Sequence, residues 1–245
     1  MSSENNTNNN KKKRSINDVL MESSSKHHWR TNINTDELIF EFVPECNELQ
    51  YDEDDKSSVG TCGKGVALAL GNTVMRSGKH FVTFERSGCE MGLVYMGIMR
   101  PVSQTGLKGK GSFSPIWEKY EDLLQKTPDR WGDGNVHTCM TELTTGARST
   151  KGLWNDGTGK TWDTKKNKRQ YEEEYSEPQT NTTLALLLDL DVGTLTLYEV
   201  LKSGKVKNKG ILKDGLTGEY CWATEIIDVE DGVGVQIKKG DIPSV

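Results

Sequence analysis

The residues of this 245-residue chain best suited to chemistry are four histidines, five cysteines, three acidic clusters and one Gly-Lys-Thr segment. Gly157-Thr158-Gly159-Lys160-Thr161 ends like a phosphate-binding loop, in which glycine amides cradle a phosphate and the lysine neutralises it. Such a loop needs another glycine where Trp154 stands, an apolar strand before it and a helix after it. The flanks supply none of these, so the segment reads as a turn. Gly63-Lys64-Gly65 lacks the third glycine of a dinucleotide fingerprint and reads the same way. His27 and His28 form a pair with no further ligand nearby, while His80 and His137 fall in strand-like runs, where a structural role is expected. Cys139 and His137 are not expected to work as a nucleophile and base, and no serine sits in a G-x-S-x-G elbow. Among the acidic clusters, Asp52–Asp55, Glu172–Glu174 and Asp228 with Glu230 and Asp231, none has the alternating ligand register of a calcium loop. They read as solvated loop charge, or as an acidic surface for a basic partner.

Composition narrows the setting in which those residues act. No run approaches the roughly 18 apolar residues of a membrane-spanning helix. The formal charge of −5 argues against a dedicated nucleic-acid binder. The cysteines (Cys46, Cys62, Cys89, Cys139 and Cys221) are odd in number and show no C-x-x-C pair, against both a disulfide framework and a zinc site. With polar residues where a signal peptide needs an apolar stretch, a reduced cytoplasmic or nuclear protein is expected, its sequons at Asn5 and Asn181 unused. No cofactor is implied, and a monomer is expected.

Residues 1–36 form a zone of their own, rich in asparagine and carrying the basic run Lys11-Lys12-Lys13-Arg14. Six basic and four acidic residues lie there, which leaves the chain from Glu37 onward at −7. So polar a stretch buries too little apolar area to offset its ordering entropy, and a disordered tail is expected. Its basic run reads as a solubilising feature or a nuclear-import patch.

From Glu37 to the C-terminus one β domain is expected. Strand-like runs cover Leu38–Val43, Val66–Leu70, His80–Glu85, Gly92–Met99, Val136–Leu143, Leu184–Leu190, Leu195–Val200, Tyr220–Ile227 and Val233–Ile237, with turn residues between them. Leu186, Leu188 and Leu190 alternate with Leu187, Asp189 and Asp191, so the first set is expected in the core, paired with Leu195 and Leu197. Gly193 should supply the positive φ of the tight turn between these two strands. Ser114-Pro115 opens a run whose Ile116, Trp117, Tyr120, Leu123 and Leu124 share one helical face, predicting a short helix closed before Pro128. Lys151–Pro178 reads as a long polar surface loop holding Trp154 and Trp162. Two large aromatics in such a loop either pin it or face a partner.

Several of these segments together resemble the SPRY domain family. Leu188-Asp189, Gly193-Thr194-Leu195, Tyr198 and Gly215-Leu216-Thr217-Gly218-Glu219-Tyr220 match the family's Leu-Asp strand, Gly-Thr-Leu turn, aromatic-ended strand and Gly-Leu-x-Gly-x-Tyr approach. Ser77–Glu85 and Met91–Pro101 are similar to its upstream strands, and Thr127–His137 to a segment recurring in SPRY-like proteins of diatoms. The sequence departs from the pattern at Glu177–Thr183, where the usual Gly-Asp approach to the Leu-Asp strand is replaced. The resemblance implies a bent two-sheet antiparallel β-sandwich used as a protein-interaction platform, not an enzyme. It places a partner surface on rim loops around Arg100, Trp154, Trp162, Asp228, Glu230 and Asp231. The partner would be a peptide or loop, with a basic segment suiting the acidic turn. A lectin-like sandwich that stacks carbohydrate on its tryptophans is the alternative.

Overall fold

The computed structural model describes residues 38–42, 49–51, 56–61, 65–88, 92–101, 114–115, 136–143, 148–153, 183–228 and 232–243. All of them belong to the compact unit Asn34–Val245. The tail expected over residues 1–36 lies outside the described residues, as does the expected helix beyond Ser114 and Pro115.

Thirteen strands are described: β1 (Phe40–Phe42), β2 (Leu49–Tyr51), β3 (Ser58–Thr61), β4 (Gly65–Gly71), β5 (Lys79–Gly88), β6 (Leu93–Met99), β7 (Val136–Glu142), β8 (Arg148–Leu153), β9 (Thr183–Asp189), β10 (Thr194–Val200), β11 (Val206–Lys213), β12 (Cys221–Asp228) and β13 (Val233–Lys239). They form two sheets. Sheet A has the order β1-β4-β12-β6-β7-β8, and sheet B the order β11-β10-β9-β5-β13-β3-β2. Every pairing is antiparallel.

Side-chain alternation builds the layer between the sheets. Sheet B sends in Val82 and Phe84 from β5, Leu184, Leu186 and Leu188 from β9, Leu195 and Leu197 from β10, and Val233, Val235 and Ile237 from β13. Sheet A answers with Ala67 and Ala69, Val94, Met96 and Ile98, and Trp222 and Ile226. The rings of Phe84 and Trp222 meet edge to face across the interface, centroids 6.3 Å apart. Leu188 lies opposite Leu195 and Leu186 opposite Leu197, the pairing the leucine alternation predicts.

The far face of sheet A is interior too: Leu68, Leu70, Met99, Met140, Cys221 and Ala223 are all buried. Burial on both faces explains why β4 and β6 read as unbroken apolar runs and not as alternating ones. Glu225 is fully buried on that face, between Leu68 and Tyr95 in register.

Four strands lie where none was expected, namely β2, β3, β8 and β11. Lys151–Leu153 belongs to β8, so the expected polar loop does not begin at Lys151, and its remainder lies outside the described residues. β8, β11 and β2 occupy sheet edges. β11 is exposed along most of its length, and a strand with so little burial carries no apolar period by which to recognise it.

Candidate functional site

The connections sort onto two ends of the sandwich. At one end lie the β4–β5 connection (residues 72–78), the β9–β10 turn (190–193), the β11–β12 connection (214–220), and Arg100 with the start of β7. At the other lie the ends of β5 and β12 and the starts of β6 and β13. At that second end Arg86, only 2% exposed, donates from Nη2 to the Gly92 carbonyl at 2.8 Å.

At the first end, three segments distant in sequence are tied together by main-chain bonds. Leu190 N–H donates to the Gly78 carbonyl at 2.9 Å, and Gly78 N–H donates to Asp191 Oδ1 at 2.9 Å. Leu216 N–H donates to the Gly193 carbonyl at 2.9 Å, and Met75 and Tyr220 exchange main-chain bonds of 2.7 and 3.1 Å. Gly193 has φ of 72°, and a Cβ there would lie 2.6 Å from the Leu216 carbonyl oxygen. Only glycine fits that position.

Asp189 explains why the strand before the turn ends in Leu-Asp. Its Oδ1 accepts from Asp191 N–H at 3.1 Å and Val192 N–H at 3.3 Å, an Asx-type closure of the turn. Its Oδ2 pairs with Lys79 Nζ at 3.0 Å. Burial by itself would raise this carboxyl's pKa. The Lys79 hydrogen bond, the two turn amides and the lysine charge outweigh it and hold the group below its ordinary value.

Above this locked base stand the exposed groups. Val192, at 67% exposure, is the most exposed large hydrophobic side chain among the described residues. The three bonded connections and the start of β5 also carry Arg76, ion-paired to Glu219, and Ser77, Lys79, Asp191 and Thr217. The same end of the sandwich thus presents an exposed aliphatic side chain and charges of both signs.

Arg100 closes this end differently from expectation. It is 2% exposed, so it offers a partner almost no side-chain surface, and its N–H donates to the His137 carbonyl at 2.9 Å. His137 is fully buried, and its pKa is lowered to about 3, first by burial and then by the charge of Arg100. It is therefore a neutral imidazole at physiological pH. His137 and Cys139, two residues apart in β7, share one face of the strand. Both are sealed from solvent, at 0% and 1% exposure, and offer no access to a substrate. The ring of His80 bonds the Ser77 carbonyl at 2.9 Å, a turn-holding role. Among the described residues, no group of three His, Cys, Asp or Glu side chains is placed to hold a metal ion.

The residues expected to form one partner surface do not come together. Arg100 follows Met99, which pairs with Cys221 at the start of β12, whereas Asp228 ends that strand. Seven residues of extended chain separate the two positions by about 23 Å. Trp154, Trp162, Glu230 and Asp231 lie outside the described residues. Leu153, the residue before Trp154, pairs with Val136 at the Arg100 end. Sequence reasoning passed over Val192, Arg76 and Glu219, although it marked the turns that carry them.

No family model matches the sequence, and no curated protein matches it. Among solved structures, the chain is similar to the SPRY domain of human HERC1, with 11% identity and a TM-score of 0.48 over 83% of this chain and 99% of that one. It is also similar to the TRIM65 PSpry domain, with 13% identity and a TM-score of 0.45 over 83% and 90% of the two chains. A third similar structure is stonustoxin, with 16% identity and a TM-score of 0.45 over 82% of this chain and 27% of the toxin.

Proposed function

We propose that this chain is a non-catalytic protein-interaction module that grips a peptide or loop of a partner on the rim built from residues 72–78, 190–193 and 214–220. One observation carries the reading. Three connections are bonded main chain to main chain, yet present Val192 at 67% exposure. Loops already fixed in place lose little conformational entropy on binding, which leaves more of the contact energy as affinity. The sequence resemblance to SPRY domains supports the same reading. Val192 would enter a small apolar pocket on the partner, while Arg76, Lys79 and Asp191 would set its orientation.

Trp154 and Trp162 stay in the proposal as anchors on the strength of sequence alone. Asp228 ends β12 at the opposite end from Arg100; with Glu230 and Asp231, on the strength of sequence alone, it would form a separate acidic contact suited to a basic segment. Arg100 takes a supporting place beneath the surface.

The test is affinity purification from cells with wild-type bait and with the double variant Val192→Asp, Arg76→Glu. Partners that depend on the rim should be lost from the variant while its melting temperature stays within a few degrees of wild type. Recovery of an unchanged partner set by a folded double variant would refute the placement.

A further inference from the structure

The hairpin formed by β10 and β11 lies on the edge of sheet B and carries a charge opposite to that of the domain around it. Between Leu201 and Lys213 the chain has Lys202, Lys205, Lys207, Lys209 and Lys213 and no acidic residue. The chain from Glu37 onward has a formal charge of −7, so these five positive charges are locally concentrated. Lys209 reaches Glu199 at 3.5 Å and Lys213 approaches Asp214 at 3.9 Å, both pairs largely solvated. Lys202, Lys205 and Lys207 are exposed and have no ion pair with a described residue.

The turn that carries the first two lysines is held in shape. Leu201 N–H donates to the Lys205 carbonyl and Gly204 N–H to the Leu201 carbonyl, each at 2.8 Å. Two of the exposed large hydrophobic side chains, Leu201 at 39% and Ile211 at 51%, stand on the same hairpin.

Lysines on an edge strand also keep foreign strands from pairing with it. That role accounts for Lys207 and Lys209 on β11, but not for Lys202 and Lys205 on the turn beyond the strand, nor for exposed Leu201 next to Lys202 and exposed Ile211 farther along β11. Strand addition is blocked in any case. The β10–β11 register shifts twice, and Gly210 has φ of 104° with its N–H already bonded to Asn208 Oδ1 at 2.7 Å. A partner must therefore engage side chains and not the backbone ladder.

We propose that this hairpin is a second docking surface, independent of the rim, for a short acidic peptide segment that carries aliphatic residues. Carboxylates would meet Lys202, Lys205 and Lys207, and an aliphatic side chain would cover Leu201 or Ile211. A short peptide fits better than a polyanion. A nucleic acid or an anionic membrane extends past the hairpin and is repelled by the acidic remainder of the domain. The described hairpin also has no aromatic side chain from Leu201 to Lys213 on which a base could stack.

The experiment uses the full chain and a labelled peptide in which Glu and Asp flank two leucines, with its Gln/Asn counterpart as control. An oligouridylate and phosphatidylserine-containing vesicles serve as rival ligands. The acidic peptide should bind, weaken as salt rises, and lose about tenfold or more in affinity to the triple variant Lys202→Glu, Lys205→Glu, Lys207→Glu. The variant should keep its thermal transition, because these side chains contact no core. Val192→Asp should leave peptide binding unchanged, which separates this surface from the rim. Equal binding of the neutral peptide, or undiminished binding by the triple variant, overturns the proposal. Lysine-dependent binding of the oligouridylate or the vesicles without the peptide overturns it as well.

Discussion

Strand β10 is shared by two hairpins built on opposite principles. On one side, β9 meets it in unbroken register over six residue pairs, with Leu186 and Leu188 fully buried opposite Leu197 and Leu195. On the other side, β11 meets it with two register shifts, a positive-φ glycine and a row of solvated lysines. The first hairpin stabilises the sandwich. The second ends sheet B and presents charge. Neighbours of one strand can thus carry very different shares of stability, and substitutions on the two sides should differ accordingly.

The largest effect should come from Leu188→Ala. The side chain sits at 0% exposure between the sheets, so truncation removes buried apolar area and leaves a cavity. A loss of about 2–5 kcal/mol is expected, read as a fall in the urea midpoint at constant slope. An unchanged midpoint would remove β9 from the core and dissolve the contrast between the hairpins.

Gly193→Ala should come next. The new methyl meets the Leu216 carbonyl oxygen in a backbone region that L-residues avoid, at an expected cost of about 1–3 kcal/mol. The same substitution loosens the bond from Leu216 N–H to the Gly193 carbonyl, so amide exchange at Leu216 should accelerate even in the folded fraction. Stability loss without faster exchange at Leu216 would mean that the rim is not locked through this turn.

What could be read from the sequence follows the same divide. β9, β10, β12 and β13 announce themselves because at least one face of each is buried, and burial imposes period two or an apolar run. The turn at Gly193 was equally plain, since tight hairpins demand that residue. β8 and β11 were missed because Arg148–Leu153 and Val206–Lys213 hold few apolar residues, as edge strands can. Site residues were harder for a different reason. Arg100 ends an apolar strand before a proline, which looks like a rim position, yet its burial depends on what packs over it from elsewhere in the chain. Grouping Arg100 with Asp228 required knowing at which end β12 begins, and strand direction within a sheet is a property of topology that no local pattern encodes.

A smaller effect, dependent on pH, belongs to Asp189. Its carboxyl pKa is lower in the folded chain than in the unfolded one, so the anion stabilises the fold above the unfolded value, near pH 4. That contribution is lost as pH falls through the lower folded value. Asp189→Asn keeps a turn acceptor for the Asp191 and Val192 amides but removes the charge opposite Lys79. The variant should be less stable than wild type at neutral pH, and the gap should close in acid, where wild type is protonated too. Urea midpoints at the two ends of that range decide it. A gap that persists in strong acid would assign the effect to turn geometry instead of charge.

The smallest effect should lie on the β11 side. Lys209→Ala breaks the pair with Glu199, but both side chains are about two-fifths exposed and 3.5 Å apart, a geometry whose attraction water and salt largely cancel. The expected change is within about 0.5 kcal/mol. A double-mutant cycle with Glu199→Ala should give a coupling near zero at moderate salt. The near-silence of this pair matters to the reading of the hairpin, because lysines that do so little for the fold are free to be spent on a partner. A coupling above about 1 kcal/mol would make the β11 lysines part of the scaffold. The two hairpins would then differ in degree of burial but not in purpose.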